Sequence, residues 1–123
     1  MSCLVCDRLV SIADPLDTSV VVVYADLTWV AYRGAPPDSI MVAARRHTSW
    51  YWDLDESEQS SLGTVLTLLA ETVRSISHSS PVYCVGLGEN SRHFHVLLMQ
   101  RDKQLADEIH DSIRLSTARL LQR

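Results

Sequence analysis

Two short motifs concentrate the residues that can do chemistry. Cys3 and Cys6 form a Cys-x-x-Cys, and His93 and His95 flank Phe94 as His-x-His. Paired thiols either bind a soft metal or cycle through a disulfide. A redox pair normally caps a helix that follows a strand in a βαβ setting. Here no strand precedes the pair, so a metal half-site is the better reading. Tetrahedral zinc then needs two further ligands. The chain offers five histidines, at 47, 78, 93, 95 and 110. His78 at a helix end and His110 in a helix of mixed polarity read as solvent-exposed. His47, after a strand and the pair Arg45-Arg46, reads as a loop ligand. On a strand, His93 and His95 share one face roughly 6.5 to 7 Å apart. That spacing suits two neighbouring tasks or two ligands of one ion, and residue type alone does not choose between His93 and His95.

Other chemically capable residues have plainer explanations. Trp50, Tyr51 and Trp52 read as core or dimer packing in preference to base stacking. Arg45 and Arg46 read as a solvated strand end. Cys84 sits mid-strand as a small apolar residue. Asp7, Asp14 and Asp17 are loop residues.

The elements that must position these side chains follow from patterning. β-Branched Ser19 to Tyr24 predicts a strand, Thr28 to Tyr32 a second and Ile40 to Ala44 a third. Asp26 and its neighbours can turn the first two into a hairpin. Asp55-Glu-Ser-Glu58 resembles a capping box. Leu62, Leu66, Leu69, Val73 and Ile76 follow at spacings of four and three, which predicts a helix over 56–77. Ser79-Ser-Pro81 ends it. Val82 to Leu87 and His93 to Met99 are the fourth and fifth strands. A last helix is predicted from Lys103 to Leu121. Strands grouped ahead of helices predict an α+β fold with a five-stranded, mostly antiparallel sheet and two helices. With helices on one side only, part of the sheet needs cover, which a dimer would supply.

The chain has 123 residues, 46% of them hydrophobic, and a formal charge of −4. That is one domain, residues 1–123, with a composition that argues against disorder. The acidic balance argues against nucleic acid as a partner, which needs a basic footprint. No apolar run reaches the roughly 18 residues of a membrane span. The first residues lack the pattern of a signal peptide, so the expectation is a cytoplasmic protein with no membrane partner.

With these residues in view, the chain resembles the histidine triad (HIT) family of nucleotide hydrolases and transferases, in its zinc-containing bacterial form. The resemblance runs over nearly the whole length. The N-terminal Cys-x-x-Cys is similar to the one that opens many members. Met41-Val-Ala-Ala-Arg-Arg-His47 is similar to a family strand that ends in proline, two basic residues and histidine. Asp53-Leu-Asp-Glu-Ser-Glu58 is similar to its helix start. Val82 to Gly88 with His93-Phe-His-Val-Leu-Leu-Met-Gln-Arg101 is similar to its His-x-His-x-His segment. Matching Arg101 and Gly88 to the family's flanking arginine and glycine makes His93 the first triad position, His95 the second and Leu97 the third. A register starting at Ser91 breaks both flanking matches.

The resemblance implies roles. His95 would be the nucleophile at the α-phosphate, forming a nucleotidyl-histidine that water resolves. Cys3, Cys6, His47 and His93 would hold a structural zinc. Gly88, Glu89, Asn90 and Ser91 would lie along the phosphate of a nucleotide or nucleotide conjugate. The chain would be a homodimer. Several positions depart from the family pattern: Leu97 replaces the third histidine, Gln100 and Ala44 replace prolines, and Ser39 stands where many members carry a histidine. The alternative they raise is a catalytically degenerate, zinc-stabilised binding or regulatory module. A thiol redox protein built on Cys3 and Cys6 is a weaker third reading.

Overall fold

The computed structural model describes residues 3–34, 39–76, 81–86 and 92–100. Helix α1 spans Leu4–Ala13. Strands β1, Val22–Ala25, β2, Trp29–Arg33, and β3, Ser39–Ala44, follow. A short 3-10 turn at Tyr51–Asp53 leads into helix α2, Glu56–Ile76. Strands β4, Val82–Val85, and β5, His95–Gln100, close the described chain. The five strands form one sheet in the order β1-β2-β3-β5-β4, and each neighbouring pair is antiparallel. The architecture is the expected α+β sheet. The predicted helix over 103–121 lies outside the described residues.

Strand alternation divides the sheet into two buried faces. Trp29 and Ala31 of β2, Val42 and Ala44 of β3, and Val96 and Leu98 of β5 pack with Phe94 against Leu54, Val65 and Leu69. This is the face covered by α2, and it buries the predicted row Phe94, Val96, Leu98. The indole of Trp29 also donates to Ser61 Oγ on α2 at 2.7 Å, so its one polar atom is satisfied in the core. On the opposite face Val30, Tyr32 and Ala43 pack against Val5, with Leu9 and Ile12 beside them. Helix α1 therefore covers the side that the sequence reading left bare.

Helix α1 itself was not predicted, although Val5, Leu9 and Ile12 recur at helical spacing. Its cap is unusual. Cys3 Sγ, in place of a Ser, Thr, Asp or Asn oxygen, accepts the N–H of Cys6 at 3.3 Å.

Helix α2 begins as predicted. Asp55 Oδ1 accepts the Glu58 N–H and Glu58 Oε1 accepts the Asp55 N–H, both at 2.8 Å. These bonds make a reciprocal capping box. The β1–β2 hairpin is fixed by Asp26. Its Oδ1 accepts from the N–H groups of Thr28 and Trp29, and its Oδ2 accepts from the Tyr24 hydroxyl. Burial opposes the charge on Asp26, but those three bonds and nearby Arg45 hold its carboxyl below the usual range.

Two strand limits differ from the prediction. Strand β1 starts at Val22, beside an irregularity between Val22 and Tyr24, and not at Ser19. Strand β5 starts at His95, because Arg92 and His93 lie in a bend. The bend places His93 outside the strict alternation, and that sets the geometry of the site.

Candidate functional site

Three separate segments converge where α1 begins, β3 ends and β5 starts. The first supplies Cys3 and Cys6. As N-cap and third helical residue they lie one turn apart, so a single helix end presents both sulfurs. Val5 between them is 3% exposed and anchors that end to the sheet.

The second segment is the loop after β3, which carries His47. It is held on both sides of the imidazole's neighbours. Arg45 Nε donates to the carbonyl of Asp26. Arg46 donates to Glu58 Oε1 at 2.6 Å and to the Asp53 carbonyl at 2.9 Å. Glu58 is buried, so its carboxylate serves Arg46 and the helix cap together. Arg46 is thus a structural clamp, not the solvated strand end read from the sequence. The missed signal was the acidic capping box 12 residues downstream.

The third segment supplies His93, which is fully buried. Its Nε2–H donates to the carbonyl of Ala44. A carbonyl can only accept, so this bond fixes the tautomer and leaves the Nδ1 lone pair free. Nδ1 lies 3.3 Å from Cys6 Sγ and 3.6 Å from Cys3 Sγ. His47 Nδ1 lies 3.2 Å from Cys6 Sγ. One ligand atom from each of Cys3, Cys6, His47 and His93 falls within 4.8 Å of the others. Zinc–sulfur bonds of about 2.3 Å and zinc–nitrogen bonds of about 2.0 Å put tetrahedral ligands roughly 3.3 to 3.8 Å apart. The observed separations approach those edges. One central cation would meet all four donors at once. The donor set therefore fits a closed, soft-metal site.

Electrostatics agree with that geometry. Burial pushes His93 below the ordinary imidazole value, with His47 and His95 adding to the effect against the pull of the Ala44 bond. It is therefore held neutral, the form that binds metal. Burial also raises the Cys6 thiol, helped by its neighbour Cys3 and by Asp7. A bound cation would reverse that shift.

His95 opens β5 and stays outside the cluster. Its Nδ1 lies 2.7 Å from the carbonyl of His93, so Nδ1 carries the proton and Nε2 carries the lone pair. Among the described residues no group bonds Nε2. His93 and His95 thus divide the two tasks: one imidazole joins the thiols, and the other presents a free nitrogen two residues on.

Leu97 is buried on the same face of β5 as His95, opposite Met41 of β3 and Val85 of β4. A Cβ placed on Gly34 would lie 3.0 Å from Leu97 Cδ1 and 2.3 Å from Ser39 Oγ, so only glycine fits there without movement. Ser39 is buried as the first residue of β3. The positions of Leu97 and Ser39 are therefore filled by close packing. Gly88, Glu89, Asn90 and Ser91 lie outside the described residues.

Beside His95 is a cleft of about 140 Å³, lined by Ser49, Trp50, Tyr51, Gly86, His93, Phe94 and His95. Trp50 is 38% exposed, Tyr51 56% and Trp52 77%, so this triplet is not core packing. Among the described residues no helix is long and apolar enough to cross a membrane.

No family model and no curated protein matches the sequence. Solved structures do match the fold. A HIT family hydrolase from Legionella pneumophila Philadelphia 1 is 17% identical with a TM-score of 0.61, over 83% of this chain and 95% of that one. A Hit-like protein involved in cell-cycle regulation from Bartonella henselae, solved with an unknown ligand, is 16% identical with a TM-score of 0.64, over 78% of each chain. A histidine triad protein from Clostridium difficile is 14% identical with a TM-score of 0.53, over 84% of this chain and 96% of that one. The sheet and its flanking helices have the fold of the histidine triad proteins.

Proposed function

We propose that this chain binds a nucleotide conjugate and transfers or hydrolyses its nucleotidyl group through His95, on a scaffold pinned by zinc. The observation that carries the reading is the bond from His95 Nδ1 to the His93 carbonyl, which in the neutral imidazole leaves the lone pair on Nε2. A neutral imidazole is a competent nucleophile near pH 7, and a covalent intermediate divides one difficult displacement into two. In the first step Nε2 attacks the α-phosphorus. The bond to the leaving group breaks, and that group departs with the electron pair and takes a proton from water. In the second step water attacks the same phosphorus, the P–N bond breaks, the pair returns to Nε2, and the surplus proton goes to solvent.

Cys3, Cys6, His47 and His93 would hold the zinc. With all four positions taken by protein, the ion would supply folding energy and orientation, not a site for water. His93 would then be fixed at Nδ1 by the ion, at Nε2 by Ala44, and through its own carbonyl to His95. The working unit in this reading is a homodimer. Exposed Val21, Val22 and Val23 along the β1 edge, with Leu27 at its turn, leave apolar surface for such pairing.

Nucleotidyl release by wild type and by His95→Asn tests the reading. Asn retains a donor for the His93 carbonyl but has no nucleophilic nitrogen, so the rate should fall by at least about 10³-fold. Equal rates would remove His95 from the chemistry. A second reading is favoured by Leu97, whose packing leaves no imidazole at the third position. On that reading the chain binds nucleotide without turnover, and calorimetry would show binding while hydrolysis stays at background.

A further inference from the structure

The four donors of the corner differ in their access to solvent. His93 is fully buried, but Cys3 and Cys6 are only half-buried and His47 is exposed. Small solutes therefore reach the sulfurs, whereas cysteines sealed in a core are inert. The sulfurs are also placed for each other. Cys3 Sγ accepts the Cys6 N–H at 3.3 Å, and the Cys3 carbonyl accepts the Asp7 N–H at 2.9 Å. That first helical turn sets the two Cα atoms roughly 5 Å apart, inside the range of about 4.4 to 6.8 Å that a disulfide spans. The two Sγ atoms lie within 4.8 Å of each other. A cysteine that caps a helix, with a second cysteine one turn on, is the half of the redox arrangement that spacing alone does not reveal.

Two features of the fold confine this chemistry and make it reversible. Val5, Leu9 and Ile12 seat α1 on the sheet, so joining the sulfurs does not release the helix. The third thiol is on the wrong side. Cys84 stands opposite Leu98 in the β4–β5 register, and Leu98 belongs to the core under α2. Cross-strand partners share one face of a sheet, so Cys84 lies on the face away from α1.

We propose that Cys3 and Cys6 are a modification site for hydroperoxides, and that the disulfide they form switches the corner from a zinc-holding to a zinc-free state. This rests on the corner as a zinc site and not on His95 as nucleophile. In the first step one sulfur attacks an oxygen of the hydroperoxide, the O–O bond breaks, and the alkoxide or hydroxide leaves with the electron pair. The sulfur becomes a sulfenic acid. In the second step the other sulfur attacks it, the S–S bond forms, and the S–O bond breaks to release hydroxide. Sulfurs that ligate zinc carry no proton, so each departing oxygen takes one from solvent. The two sulfurs have together lost two electrons, and the peroxide bond has gained them. A disulfide is not a thiolate ligand. Only His47 and His93 remain of the four donors, too few for a closed tetrahedral set. His93 keeps its bond to Ala44, so reduction returns the corner ready to refill.

The test treats the reduced, zinc-loaded chain with hydrogen peroxide in the presence of a chromogenic zinc chelator. Mass spectrometry under non-reducing conditions follows the same samples. One zinc per chain should be released in step with a loss of about 2 Da, the two hydrogens of one disulfide. Peptide mapping should place the loss on the segment that holds Cys3 and Cys6. Dithiothreitol followed by zinc should restore both mass and metal. Cys84→Ser should behave as wild type. Cys3→Ser, which keeps an oxygen to cap α1, should show no such loss, and circular dichroism checks that it is folded. Zinc retained through peroxide at unchanged mass would overturn the switch and leave the zinc corner standing. So would a disulfide that involves Cys84 or a second chain, or a gain of oxygen that dithiothreitol does not reverse. Reduced protein that binds no zinc would overturn the corner itself, and the switch with it.

Discussion

The corner that gathers Cys3, Cys6, His47 and His93 and the strand that follows it are built to different standards. In the corner, three of the four side chains have a restraint of their own. Cys3 caps α1, His47 is carried on a loop clamped by Arg45 and Arg46, and His93 is tied to Ala44. On β5, His95 relies on one carbonyl, and two residues on Leu97 closes against Gly34. The difference teaches where the two properties reside. The corner secures the scaffold through many independent restraints, whereas the proposed chemistry depends on one imidazole whose orientation is inherited from its neighbour.

The largest effect should come from emptying the corner. A strong chelator, or Cys6→Ser, removes a ligand that binds only the folded chain. The loss should be at least about 4 kcal/mol, the stabilisation a ligand gives at 1,000 times its Kd. Calorimetric Tm should drop by roughly 10–20 °C, and metal analysis should show one zinc lost per chain. An unchanged Tm with no metal bound would make the corner no more restrained than the strand.

The clamp is the next point to break. Glu58→Ala removes a buried carboxylate that caps α2 and grips Arg46. Cap loss and an orphaned, half-exposed Arg46 together should cost about 2–3 kcal/mol in urea denaturation. Because Arg46 precedes His47, zinc affinity should fall about ten-fold in a competition titration, as for other outer contacts of a metal site. Stability loss with unaltered zinc affinity would separate the clamp from the metal.

A smaller change sharpens the strand's side of the comparison. Leu97→His places an imidazole on the face of His95. If the strand is limited by that absent contact, nucleotidyl release should rise by about ten-fold in steady-state assays, below the 10²–10³ of an optimised contact. No gain, in a variant that still folds, would locate the limit elsewhere.

The smallest effect is that of pH on the metal-free protein. His93 has a folded pKa below its ordinary value of 6.5. The unfolded chain therefore takes up its proton first as pH falls. His93 costs no stability above about pH 6.5, and stability is lost as pH drops from there toward the lower folded pKa. Urea midpoints at pH 7.5 and 5.5 should differ more in wild type than in His93→Gln. An equal pH response would show that His93 does not titrate with folding.

Much of this was legible in the residues, because the governing interactions are local in the chain. The Asp55–Glu58 cap, the Asp26 turn, the helical row from Leu62 to Leu69 and the alternation of Phe94, Val96 and Leu98 each follow from spacing alone. The four metal-corner residues were named from the Cys-x-x-Cys, the loop histidine and the family resemblance. What escaped depends on contacts far apart in sequence or on atypical residues. Helix α1 was hidden by a cysteine cap. The separate roles of His93 and His95 rest on a bend and on the Ala44 carbonyl 49 residues away. The function of Arg46 needed Glu58 across the loop, and the aromatic cleft needed Tyr51 brought against Gly86 and Phe94.

The most direct test is rapid acid-free quenching of wild type with a nucleotide conjugate, followed by mass spectrometry of the intact chain and its peptides. A single nucleotidyl adduct on the peptide containing His95, absent from His95→Asn, is the predicted result. Turnover without an adduct, or an adduct at any other residue, would contradict it.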